Sequence, residues 1–227
     1  MSDLQRNVTL IRARLHEAAR RRGREEISLV AVTKTVSAAL IGEALKLGVR
    51  SFGENRLQEA LPKVTLFPVA DWHFIGRLQT NKAGEAAGRF SLIHSLDRWK
   101  LAEALQKHGE AKGLLIKVLV QVNVAGEEQK GGLAPEELTD FLAAVAGLSC
   151  LQVEGLMTVP PYEDNPEKTR PYFREMYRLF STCRVPGVYM RILSMGMSDD
   201  YLVAVEEGAN LVRLGSAVFG SRTNEGG

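Results

Sequence analysis

The chain has 227 residues, 45% of them hydrophobic and 25% charged, with a formal net charge of +2. That length suits one α/β barrel filling a single domain over 1–227, and that composition leaves no room for a long disordered tail. A charge so near balance gives no ground for a nucleic-acid or other polyanionic partner, because a surface that tracks phosphates needs a concentrated basic stripe.

The first predicted element is an amphipathic helix over 3–22, with Leu4, Val8, Ile11, Leu15 and Ala18 at helical spacing. Arg20, Arg21, Arg22 and Arg24 gather at its end, where cations complement the helix dipole, so they read as a solvated helix end and not as an RNA or membrane contact. The start of the chain lacks the apolar core of a secretory signal, and no apolar run reaches the length that crosses a bilayer. A cytoplasmic protein is expected. Cys150 and Cys183 stand alone, without metal-ligand spacing or a CxxC pair, which predicts small buried or half-buried thiols in a reducing compartment and no metal site.

From residue 28 onward, short apolar runs alternate with longer amphipathic ones. Strands are predicted over 28–34, 51–53, 72–75, 92–96, 116–123, 152–158, 191–194 and 211–214. Helices are predicted over 37–47, 54–64, 79–87, 98–112, 135–146, 169–183 and 198–207, with a short one after Ser216. Ser37 and Asp97 suit N-caps, Gly48 suits the position past a helix end, and Pro135 suits a first turn. The strands are apolar throughout, as when both faces are covered, and eight strand–helix units close a (β/α)8 TIM barrel. An open doubly wound sheet is the alternative, but no GxGxxG follows the first strand. The two longest loops, 125–134 and 159–168, follow strands and belong on the carboxy-terminal face, where barrels carry function.

Three stretches can carry chemistry. Lys34 follows directly on the first strand, and an amine held among apolar side chains gives up its charge more easily and can attack an aldehyde; a lone lysine at a strand end is otherwise a snorkelling surface residue. Leu193 to Asp200 (LSMGMSDD) runs from a strand through a small-residue turn into a helix, offering hydroxyls and free N–H groups to an anion, although Ser198 can equally be a plain N-cap. Leu211 to Gly220 (LVRLGSAVFG) repeats that logic after the last strand, and barrels often hold phosphate beside strands seven and eight. Arg213 alternates with Val212 and Leu214 and needs a buried partner; a structural ion pair is the plain alternative. His73 reads as a hydrogen-bonded core histidine, Lys82 as a solvent-facing helix residue and Lys130 as part of a solvated loop.

VTKT at 32–35, FGEN at 52–55, WHFIG at 72–76, GLM at 155–157, SMGMSD at 194–199 and VRLG at 212–215 together resemble the pyridoxal phosphate homeostasis proteins, the YggS or PROSC family. The resemblance spans the chain from the first strand to Gly220; Thr33, where relatives often carry serine, is a minor departure. It implies a barrel like the N-terminal domain of alanine racemase, with an extra N-terminal helix here, and pyridoxal 5′-phosphate held as an internal aldimine of Lys34. By the same resemblance Ser194, Gly196, Met197, Gly215 and Ser216 lie around the cofactor phosphate, Arg213 beside the pyridine nitrogen, and Asn55 and His73 in the pocket.

The family is described as lacking enzymatic activity and as affecting vitamin B6 and amino-acid pools, so the resemblance implies a cofactor carrier and not an enzyme. An arginine at the ring nitrogen disfavours its protonation and weakens the cofactor as an electron sink. The second base of a racemase comes from a domain of the partner subunit that is not expected after residue 227. The implied partners are pyridoxal phosphate itself and the apoenzymes that accept it, with a monomer as the default. The alternatives are an amino-acid racemase or lyase acting through Lys34, and a cofactor-free Schiff-base aldolase using the same lysine.

Overall fold

Among the described residues the apolar runs form eight parallel strands: β1 (Ser28–Val32), β2 (Ser51–Glu54), β3 (Asp71–Phe74), β4 (Leu92–Leu96), β5 (Ile116–Gln121), β6 (Leu151–Met157), β7 (Ile192–Ser194) and β8 (Leu211–Leu214). They pair in chain order and close into a barrel, with β8 running beside β1 from Ser28↔Leu211 to Ala31↔Leu214. The computed structural model describes residues 1–23, 26–127, 129 and 131–220. The expected α/β barrel is therefore the observed fold, and the open sheet is set aside.

The helices are α1 (Asp3–Arg21), α2 (Ala38–Lys46), α3 (Leu57–Leu66), α4 (Ala83–Ala86), α5 (Trp99–Lys112), α6 (Leu138–Val145), α7 (Arg170–Thr182), α8 (Tyr201–Glu206) and α9 (Ser216–Phe219). Helix α1 is capped by Ser2, whose hydroxyl accepts from the Gln5 N–H at 3.3 Å, and it buries the predicted stripe against α8 and α9. Arg20, Arg21 and Arg22 do end the helix, where Arg21 pairs with Glu17 and Arg22 lies 5.6 Å from the Tyr177 ring centroid, whereas Arg24 lies outside the described residues. Ser37 caps α2, and Gly48, at φ 81°, ends it by donating to Leu45 while Val49 donates to Ala44.

Several boundaries differ from expectation for identifiable reasons. Glu54 belongs to β2 and not to the following helix, because its carboxylate is bonded in place against the sheet. The predicted helix over 79–87 is a 3-10 turn, Thr80–Lys82, followed by the single turn α4. Asp97 is not an N-cap: Arg98 takes that position without a side-chain cap, and the Asp97 carboxylate pairs with Arg98 and approaches Arg77 at 4.0 Å.

Between β5 and β6 the register steps from Val118↔Val153 to Leu119↔Gly155, leaving Glu154 as an extra residue. Gly155 takes φ 151°, and a Cβ there would stand 1.9 Å from the Ile192 carbonyl oxygen, so only glycine lets β6 and β7 stay paired at this bulge. Outside the barrel, strands and helices share one continuous apolar core; inside it, Leu92, Leu119 and Met157 form a separate small cluster. Both cysteines are half-buried free thiols. Among the described residues no helix is long and apolar enough to cross a membrane, and no cluster of metal-ligating side chains occurs.

Candidate functional site

Strand β1 stops two residues before Lys34, so the lysine sits in a turn at the carboxy-terminal rim, half-buried, with no hydrogen bond or ion pair of its own among the described residues. The turn is held from below. Thr33 faces outward by strand alternation, and its hydroxyl donates to Glu54 Oε1 at 2.6 Å; Lys63 of α3 donates to the same oxygen at 2.6 Å and to the Thr33 carbonyl oxygen at 2.7 Å. Thr35 follows at φ 63°, the left-handed region that a β-branched residue rarely enters, at a cost of roughly 1–2 kcal/mol. The strain falls beside the candidate nucleophile, as it often does at functional sites.

On the neighbouring side of the barrel, the turn after β7 takes its shape from Gly196, at φ 93°, where a Cβ would lie 2.6 Å from that of Ala204 and 3.0 Å from Tyr201 Cα. The Met197 N–H donates to Asp200 Oδ1 at 2.6 Å, and burial pushes the Asp200 carboxyl up against that bond's lowering effect. Ser198 is not the cap of α8, a position Asp200 takes. Its hydroxyl oxygen instead accepts from the Gly215 N–H at 3.2 Å and the Ala217 N–H at 3.1 Å, lashing the turn after β7 to the turn after β8. Ser216 is exposed at the start of α9, and a Cβ on Gly215 would come no closer than 3.6 Å, to Val32.

Arg213 is buried and points into the barrel, donating from Nη1 to Ser194 Oγ at 2.5 Å and from Nη2 to the Thr158 carbonyl oxygen at 2.8 Å. Burial pulls its pKa down to about 10, with Asp200 pulling the other way, so it remains a cation at neutral pH. Its bonded partners are neutral oxygens and not the carboxylate expected of a structural ion pair.

Barrel closure therefore brings Lys34, Gly215 and Ser216 to one rim, with Gly196 and Met197 in the adjoining turn and Arg213 below. Asn55 follows β2 at the same rim; its Oδ1 is buried without a partner among the described residues, and it lines a cavity of about 380 Å3 with Arg56, Phe74 and Arg77. Two predicted residues sit elsewhere. Ser194 turns inward by strand alternation, fully buried between Arg213 and His94, so its hydroxyl supports the arginine and does not face the turn. His73 also points inward and is bonded to Asp71 and His94 at the barrel's interior, as a core histidine. Lys82 pairs with Glu85 on the surface at 2.6 Å, and Lys130 lies outside the described residues.

Lys63 and His94 have no role in the sequence reading, and Glu54 enters it only within the FGEN motif. Lys63 reaches Glu54 across a helix, and nothing in their spacing marks the pair. His94 could have been found by alternation, since it is the one polar ring in an apolar strand.

These groups fit an aldehyde that carries a phosphate and an aromatic nitrogen: an unpaired amine, a glycine-shaped turn with space in front of Gly215, an orphaned amide oxygen and a buried cation. The family model for the alanine racemase N-terminal domain matches residues 2–223. The pyridoxal phosphate homeostasis protein of Aquifex aeolicus (strain VF5) is 46% identical over 214 residues, covering 92% of this chain and 94% of the relative. That of Escherichia coli (strain K12) is 38% identical over 229 residues, covering 98% of each. The structure of PipY from Synechococcus elongatus PCC7942 with PLP bound superposes with a TM-score of 0.84 at 34% identity, over 96% of this chain and 100% of that one. On these matches the chain belongs to the pyridoxal phosphate homeostasis protein family, within the wider family of alanine racemase N-terminal domains.

Proposed function

We propose that this protein binds pyridoxal 5′-phosphate, with Lys34 as the amine that takes its aldehyde covalently, and that it serves intracellular vitamin B6 homeostasis without catalytic turnover. The observation that supports this reading is the β8–β1 closure, by which the end of the strand that leads into Lys34 lies beside the turn at Gly215. Under it, Gly196, Met197, Gly215 and Ser216 surround the phosphate, Asn55 contributes its unpartnered amide oxygen, and Arg213 stands at the ring nitrogen. When bound, the cofactor supplies an electrophilic carbon that exchanges between amines.

A permanent cation beside the ring nitrogen opposes its protonation, which supports carriage over carbanion chemistry. Ser194 enters as the residue that supports Arg213, and His73 as a more distant member of the same interior network. Delivery to acceptor apoenzymes in the cytoplasm, from a monomer, belongs to the same reading.

The test is the absorption spectrum of purified protein incubated with pyridoxal phosphate, before and after borohydride, on wild type and on Lys34→Ala. A visible band that borohydride abolishes in wild type and that is missing from the variant is expected. A reducible band persisting in Lys34→Ala overturns the assignment of that lysine, and stereospecific turnover of a free amino acid by the loaded protein overturns the carrier role.

A further inference from the structure

A chain of side-chain hydrogen bonds crosses the barrel interior from one mouth to the other. Asp71 Oδ2 meets His73 Nε2 at 3.1 Å, His73 Nδ1 meets His94 Nε2 at 2.9 Å, His94 Nδ1 meets Ser194 Oγ at 3.1 Å, and Arg213 Nη1 donates to that hydroxyl at 2.5 Å. At its far end, where the strands begin, lies a cavity of about 290 Å3 lined by Ser28, Ser51, Asp71, Ser91, Lys117 and Glu154. The Asp71 side chain is 48% exposed there, whereas His94, Ser194 and Arg213 are buried.

The two ends have fixed polarity. A guanidinium only donates, and an ionised carboxylate only accepts. The hydrogen bond from His73 holds the Asp71 pKa at about 2, so this carboxyl is ionised at neutral pH. Burial, reinforced by His73 and Arg213, holds His94 well below the ordinary histidine range and keeps its ring neutral.

One arrangement satisfies every contact, the Ser194 hydroxyl hydrogen included. The Ser194 hydroxyl donates to His94 Nδ1, His94 Nε2–H donates to His73 Nδ1, and His73 Nε2–H donates to Asp71. A second proton on His73 would reverse His94, whose Nδ1–H would then share the Ser194 oxygen with Arg213 and leave the Ser194 hydroxyl hydrogen without an acceptor among the described residues. The charges facing the histidine pair are Asp71, Lys117 and Glu154 at the floor and Arg213 at the other end.

We propose that Asp71 is a positioning residue for Arg213, acting through His73, His94 and Ser194, which it locks in one hydrogen-bond direction with both rings as Nε2–H tautomers. The arginine is thereby aligned before any ligand arrives, by a carboxylate at the opposite mouth of the barrel from Lys34. For its effect on bound cofactor, the inference rests on the pyridoxal phosphate reading.

The first measurement needs no cofactor: ring 15N NMR of the histidines in wild type, Asp71→Leu and Asp71→Asn. Nε2–H tautomers at His73 and His94 are expected in wild type, mixed tautomers at both in Asp71→Leu, and recovery in Asp71→Asn, whose amide oxygen still accepts. A merely structural Asp71 would lower stability without moving the His94 tautomer. Nδ1–H on His94 in wild type, or an unaltered His94 in Asp71→Leu, overturns the proposal. The wild-type spectrum decides the tautomers even if Asp71→Leu fails to fold.

The second measurement is the pH titration of the visible band of protein loaded with pyridoxal phosphate. Its midpoint should move by roughly half a pH unit in Asp71→Leu and by less in Asp71→Asn; an unmoved midpoint overturns the link to Arg213. Absence of any visible band in wild type defeats the cofactor reading alone, and the tautomer measurement then judges the hydrogen-bonded chain by itself.

Discussion

Lys63 Nζ lies 2.6 Å from Glu54 Oε1 in a site where the carboxylate is fully buried and the lysine 16% exposed, and the same ammonium grips the Thr33 carbonyl oxygen next to Lys34. Removing one member of such a pair strands the other without water. Lys63→Met should therefore destabilise the fold by about 3–5 kcal/mol, whereas the double variant with Glu54→Leu should lose distinctly less. Urea denaturation of the two variants checks this. The single variant should also bind pyridoxal phosphate more weakly, because the turn that carries Lys34 loses its brace.

Gly196 and Gly215 answer differently to one added methyl group. At Gly196 the Cβ would meet Ala204 at 2.6 Å on a backbone at φ 93°, so Gly196→Ala should cost about 2–4 kcal/mol from strain and overpacking together, seen as a lowered urea midpoint. At Gly215 the nearest contact is an ordinary 3.6 Å, so Gly215→Ala should keep its fold while weakening cofactor binding by the space it fills. Equal stability losses in the two variants would contradict this account.

Stability in acid should carry the signature of Asp71. Its folded-state pKa of about 2, set first by the His73 hydrogen bond, lies below the ordinary value near 3.9. The contribution is thus complete above about pH 4 and is lost as pH falls through about 2. Circular dichroism of Asp71→Asn should show a shallower decline across that window than wild type does.

Arg170 joins the start of α7 to the end of α8 through Glu167 at 2.7 Å, Glu206 at 2.7 Å and Glu207 at 2.9 Å. Glu167 and Glu206 are exposed while Arg170 and Glu207 are half-buried, so part of the cluster's worth depends on salt. Arg170→Met should lower Tm by about 2–4 °C at low ionic strength. The difference should narrow at 1 M salt, where screening acts within about 3 Å.

The barrel was legible because its strands are short apolar runs separated by helix-length segments, a pattern that survives in one dimension. The segment over 79–87 misled because its helical spacing runs through the 3-10 turn Thr80–Lys82 and the single turn of α4, which ends just before Gly88 at φ 81°. The rim residues Lys34, Gly196 and Gly215 showed themselves by standing at strand ends. The interior partners did not: whether Ser194 faces a turn or the barrel axis depends on register across β7 and β8, which no single strand reveals.

Closure of β8 onto β1 has a bearing on synthesis. A ribosome releases Lys34 early, but that amine has no seat for an anion beside it until Leu211–Leu214 has emerged and zipped onto the first strand. Under the proposed role of Lys34, cofactor capture is thereby deferred to the finished barrel, and a polypeptide stalled before that last strand exposes its lysine with nothing to retain what reacts there.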